Sequence, residues 1–125
     1  MKLAISTASP QLSAPLDARF GRCMYFIIIE TTTRDWDALP NPAASAGGGA
    51  GTQAVQFLTN QGVGAVVGPH FGPNAFTALE AAGIQIYSAD NGQADELLED
   101  FIAGRLEKVT QAGESGRHGG QGRRR

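Results

Sequence analysis

The chain has 125 residues, a net charge of −2, 42% apolar and 18% charged residues. That length gives one compact domain as the expectation, and the composition supplies a real core and excludes a disordered chain. The single cysteine, Cys23, excludes an internal disulfide framework and a cysteine-only zinc or iron–sulfur site built from one chain. The apolar stretch that ends at Ile29 is too short to span a membrane, and MKLAISTASP lacks the apolar length of a signal peptide. A reducing cytoplasmic location with no membrane partner is the expectation.

Charge is unevenly spread. Residues 1–103 hold four basic and ten acidic side chains, and residues 104–125 hold six basic and two acidic ones. An acidic body therefore carries a basic tail, and the body argues against general nucleic-acid binding, which needs clustered positive charge. From Gly113 the tail reads GESGRHGGQGRRR, with no apolar residue to offset chain entropy, so disorder is expected there. His118 in this tail reads as solvated. The expected division is a domain over 1–104 and a basic, Gly-rich tail over 105–125.

Taken along the chain, KLAIST (Lys2 to Thr7) reads as a short strand, and Pro10 and Pro15 make the following stretch a loop. MYFIIIE (Met24 to Glu30) is aromatic, β-branched and continuous, the pattern of a strand buried on both faces. Trp36 to Leu39 gives a third strand, cut off by Pro40 and Pro42. AASAGGGAG (Ala43 to Gly51) is a glycine-rich loop. Thr52 to Gln61 reads as a helix capped by Thr52 and closed by Gly62. Val63 to Val67 is a strand, and Pro73 opens a helix that ends at Gly83. Ile84 to Tyr87 is a strand. Ala94, Leu97, Leu98, Phe101 and Ile102 then form the apolar stripe of a last helix, ended by Gly104. The order βββαβαβα predicts an α/β domain with a mixed five-stranded sheet covered by helices. Ligands of such sheets bind beyond the carboxyl ends of the parallel strands, here near Ser6–Ser9, Gly68–Asn74, Ser88–Gly92 and the helix start at Gly49–Gln53.

Three motifs carry chemistry. GAGTQA (Gly49 to Ala54) fits the GxGxxA spacing of dinucleotide sites, but it follows Asn41-Pro42 rather than a strand and has no carboxylate about 20 residues on. What survives is the anion-binding capacity of a glycine-rich helix start, set against the plain reading of a flexible linker. GPHFGPN (Gly68 to Asn74) ends at another helix start, and the neutral imidazole of His70 is a candidate metal ligand. DARFGRC (Asp17 to Cys23) puts two guanidinium groups beside a thiol, which favours the thiolate and makes Cys23 a second candidate ligand; Asp17 can equally pair with Arg19 or Arg22 as a structural clip. No GxSxG elbow is present and neither His has an evident acidic partner. KLAIST carries no carboxylate for two-metal nuclease chemistry.

Together, RFGR before YFIII, Asn41-Pro42-Ala43, GGGAGTQAVQFL, GPNAF with Ala78-Leu79, and AAGIQIY resemble the dinitrogenase iron–molybdenum cofactor biosynthesis family over roughly residues 1 to 103. The resemblance implies a ribonuclease-H-like fold without the nuclease carboxylates. It also implies binding or carriage of a metal–sulfur cluster containing molybdenum, iron or both. The family's site falls on Arg19, Gly21, Arg22, Cys23, the Gly47–Gly51 loop with Gly48, Gly49 and Gly51, and on Gly72, Pro73 and Asn74. His70 is added on its chemistry alone. The residues agree in kind, because an acidic body needs local positive groups to hold an anionic cluster. One Cys and no ligand cluster favour loose, transferable binding without turnover, with a cluster donor or acceptor protein as partner and a homodimer sharing one cluster as a further expectation. The alternatives are a regulatory adaptor that docks a partner through its tail, and a small enzyme acting on a phosphorylated ligand held at the helix starts.

Overall fold

The computed structural model describes residues 1–111. The strands are β1 (Lys2–Thr7), β2 (Tyr25–Glu30), β3 (Trp36–Pro40), β4 (Val63–Gly68), β5 (Gln85–Ser88) and β6 (Glu107–Lys108). The helices are α1 (Ala50–Asn60), α2 (Pro73–Ala81) and α3 (Ala94–Ile102). One mixed sheet runs in the order β3-β2-β1-β4-β5-β6. Strands β1, β4 and β5 are parallel neighbours, while β2, β3 and β6 each run antiparallel to the strand they join. The two βα crossovers of the second half make the parallel pairs, as alternating elements require, and the short β2–β3 connection makes an antiparallel hairpin.

Side chains alternate across the central strands, and both faces are covered. Ala4, Phe26, Ile28, Val66 and Ile86 meet Ala54, Val55 and Leu58 of α1 and Phe76 and Leu79 of α2. On the opposite face Leu3, Ile5, Ile27, Ile29, Ala65 and Val67 meet Ala94, Leu97 and Leu98 of α3. The continuous apolar run of β2 is thus explained by burial on two sides. Each fully buried Leu or Ile here contributes about 1.5–3 kcal/mol relative to exposure.

The sheet has six strands rather than the five expected. The sixth, Glu107–Lys108, falls in the span that composition assigned to the tail. The Val109 amide donates to Ile86 O at 2.8 Å and the Val109 side chain is buried in the α1–α2 core. Two exposed charged residues carry no strand signal of their own, so only pairing with β5 reveals them. Helix α1 starts two residues earlier than expected, and its N-cap is Gly49 in the left-handed region (φ 70°), not Thr52, which is exposed in the first turn. Gly62, Gly83 and Gly104 follow the three helices with φ of 78°, 75° and 75°, which is why each helix stops there. No helix among the described residues is long and apolar enough to cross a membrane. The Gly113–Arg125 stretch and His118 lie outside the described residues.

Candidate anion-binding cleft

The carboxyl ends of the parallel strands β1 and β4 lie side by side, and the chain leaves them in different directions. The segment after Thr7 wanders through residues 8–24 before β2, and the segment after Gly68 turns at 69–72 into α2. Between these loops and the start of α1 lies an open cleft of ≈ 450 Å³. It is lined by Arg19, Gly21, Arg22, Gly49, Gly51, His70, Gly72, Pro73 and Asn74, together with Ala18, Phe20, Ala50 and Ala75. Of the family-site residues expected from the resemblance, Cys23, Gly47 and Gly48 are not in this lining. Three motifs far apart in the chain therefore meet at one place, as the rule for ligands at strand ends anticipates.

Close packing brings them together. A Cβ at Gly21 would meet Gly51 Cα and N at 2.9 Å, and a Cβ at Gly51 would meet Ala75 Cβ at 3.1 Å. The arginine loop thus rests directly on the start of α1, and that start rests on the first turn of α2. Beneath, Phe71 folds back over Gly68, whose hypothetical Cβ would meet the Phe71 ring at 3.0 Å. Phe71 packs against Phe20 with ring centroids 5.0 Å apart, and Phe20 against Phe26 at 5.5 Å. These rings make a dry aromatic base under the cleft, and His70 stands exposed above it.

The electrostatics are one-sided. No carboxylate lines the cleft, in a chain whose body is acidic. Arg19 is steered by the buried Asp17, whose carboxylate accepts from the Arg19 amide at 2.9 Å and from Nε at 3.3 Å. Of the two clips considered for Asp17, the structure forms the one with Arg19. Arg22 Nη1 donates to Ala46 O at 2.6 Å, which ties the arginine loop to the glycine-rich loop. Neither α1 nor α2 has a side-chain cap or an acidic residue in its first turn. The first intrahelical bonds are Gln53 N–H to Gly49 O and Phe76 N–H to Gly72 O. The amides of Ala50, Gly51, Thr52, Asn74 and Ala75 find no acceptor among the described residues. Each helix start adds roughly half a positive charge, so guanidinium groups and free N–H donors converge where a negative ligand would sit.

Cys23 departs from its expectation. Neighbouring arginines should favour its thiolate, yet the side chain is fully buried in the core, and burial pushes the thiol up to about 12, helped by the charge of Asp17. The Arg19 guanidinium is bonded to Asp17 and that of Arg22 to Ala46 O, neither figures among the causes of the shift, and desolvation is the largest of them. Cys23 is a neutral core thiol beside the site. Among the described residues no group of three or more His, Cys, Asp or Glu side chains is placed to hold a metal ion. Among the described residues lining the cleft, His70 is the one imidazole, thiol or carboxylate side chain. The donor set fits an anion held by charge and N–H groups better than a bare cation.

Asn41, part of the Asn41-Pro42-Ala43 segment, has a structural role of its own. Its side chain is buried, with Nδ2 donating to Gly21 O at 3.0 Å and Cys23 O at 2.9 Å, while Oδ1 accepts from the Ala43 amide at 3.0 Å. An Asn at the end of a strand and before a Pro is the signal that marks such a residue, because its amide can serve backbone groups that leave the sheet.

A three-layer α/β domain with a carboxylate-free, N–H-rich cleft at its strand ends is the class these observations define. Residues 1–104 match the model of the family described as dinitrogenase iron–molybdenum cofactor, and the chain belongs to that family. It is 32% identical to an uncharacterised protein of Methanocaldococcus jannaschii, over 86% of this chain and 91% of that one. Among solved structures it is similar to the apo form of the orange protein of Desulfovibrio gigas, with 27% identity, a TM-score of 0.87 and coverage of 90% and 96% of the two chains. It is also similar to a Thermotoga protein described as a NifB candidate, with 34% identity, a TM-score of 0.79 and coverage of 90% and 97%.

Proposed function

We propose that the protein binds and carries an anionic metal–sulfur cluster, containing molybdenum, iron or both, in the cleft between the arginine loop and the starts of α1 and α2, without turnover. The observation that carries this reading is the convergence, in a cleft with no carboxylate among its described lining residues, of two arginines and the four amides of Ala50, Gly51, Asn74 and Ala75, which find no acceptor among the described residues. Family membership points to the same class of ligand. Charge-assisted hydrogen bonds to a polyanion are worth about 1.5–3 kcal/mol each, enough for specific but reversible capture by a few donors. His70, at the exposed mouth, is the side chain offered for coordination. Such open binding suits hand-over between a donor and an acceptor protein in a reducing cytoplasm. The β3-β2-β1-β4-β5 order, with β2 reversed, supports the ribonuclease-H-like arrangement that the resemblance implies.

Anaerobic reconstitution with iron, molybdate and sulfide, followed by desalting, metal analysis and a visible absorption spectrum, tests the reading. Metal and sulfide retained in fixed ratio, with charge-transfer bands, are the expected result. Colourless, metal-free protein overturns it.

A further inference from the structure

Asn41 is placed where β3 leaves the sheet, and all of its side-chain hydrogen-bonding groups are used on backbone. Both Nδ2 protons go to the carbonyls of Gly21 and Cys23, and Oδ1 takes the Ala43 N–H. The Asn41 amide adds a bond to Met24 O at 2.9 Å. The two carbonyls flank Arg22, at the end of the turn over residues 20–22. In a planar trans peptide the N–H points opposite to the C=O. The Gly21 carbonyl turned toward Asn41 therefore turns the Arg22 N–H away from it, and that N–H has no acceptor among the described residues. Gly21 and Arg22 both line the cleft, and the Arg22 guanidinium is bonded to Ala46 O, three residues beyond the Ala43 that Asn41 also holds. One buried side chain thus fixes the arginine loop and the root of the glycine-rich loop at once.

We infer that Asn41 is the positioning residue of the cleft: it sets the Gly21–Arg22 peptide so that Arg22 offers its backbone N–H and its guanidinium together to the bound anion. It acts through Arg22, and its binding arm rests on the function proposed above. The test uses the full chain, wild type, Asn41→Ala and Asn41→Asp, each with and without Arg22→Ala. Tetrathiomolybdate, a sulfide-terminated molybdenum dianion, is the probe. An ionised Asp keeps the shape but cannot donate to either carbonyl. Both Asn41 substitutions should weaken binding roughly tenfold in the wild-type background and about threefold or less where Arg22 is already Ala, because coupled residues are non-additive. Equal factors in both backgrounds overturn the inference. The second readout needs no ligand: in ¹H–¹⁵N spectra Asn41→Ala should move the Arg22 and Met24 amides and leave Asn74 in place. If the wild type fails to bind the probe, the proposed ligand falls and the spectra alone judge the positioning; unmoved Arg22 and Met24 amides then reject it. Should Asn41→Ala fail to fold, Asn41→Ser, which restores one donor, is read in the same way.

Discussion

The start of α3 and the starts of α1 and α2 are made of the same backbone groups and treat them in opposite ways. At α3 every first-turn donor is consumed by the chain itself. Ala94 and Asp95 amides donate to Ala14 O and Leu12 O at 2.9 and 2.8 Å, the Glu96 amide to Asp95 Oδ1 at 2.8 Å, and the Leu97 amide to Gln93 O at 2.9 Å. Glu96 reaches back to the Gln93 N–H at 3.0 Å, and two carboxylates answer the dipole. At α1 and α2 the corresponding amides find no acceptor among the described residues, glycine stands at both N-caps with Pro73 following the second, and the charged side chains lining the cleft are arginines. A helix start that closes on itself holds the fold together. A helix start left open forgoes that stability and leaves its donors available to an anion.

Four experiments break or sharpen this contrast. The largest effect belongs to Arg19→Ala with Arg22→Ala, which should reduce cluster retention more than tenfold, since two charge-assisted contacts are lost. Arg34→Ala, which removes an ion pair with Glu99 on α3, should leave retention unchanged. Metal per chain after desalting measures both. Next is Gly21→Ala: its Cβ meets backbone at 2.9 Å, which cannot move aside, so stability should fall by about 1–3 kcal/mol in a urea titration and the cleft should open.

The third experiment separates the open mouth from the dry base beneath it. The Cys23 thiol is held near 12 in the fold and returns to about 8.5 when unfolded. The native state therefore keeps its proton longer than the unfolded state does. Stability should be flat below about pH 8 and decline by up to about 1.4 kcal/mol per pH unit above the unfolded value. Cys23→Ala should abolish this decline, read as the urea midpoint from pH 7 to pH 10. The smallest effects come from exchanging the two kinds of helix start. Thr52→Glu gives α1 the acidic first turn of α3; it should raise thermal stability by about 0.3–1 kcal/mol while lowering cluster retention severalfold. Glu96→Ala, the reverse change at α3, should cost about 0.5–1 kcal/mol and leave retention intact.

Much of this was legible in the residues. The doubly buried β2, the helix stops at Gly62, Gly83 and Gly104 and the start of α2 at Pro73 rest on local patterns, because apolar period and glycine conformation act over a few residues. Other features were decided only by residues distant in sequence. β6 exists because β5 offers it an edge. The Gly21–Gly51–Ala75 stack requires three segments to meet, and no spacing rule reports a contact between residues 30 apart. Cys23 illustrates the limit most plainly: its neighbours in sequence are arginines, which promise a thiolate, but its neighbours in space are Asn41, Asp17 and the core, which keep it neutral. Sequence determined which chemical groups are present and which local shapes they adopt. Tertiary packing decided which of those groups share a dielectric environment, and burial is a property of the whole fold rather than of any stretch of it.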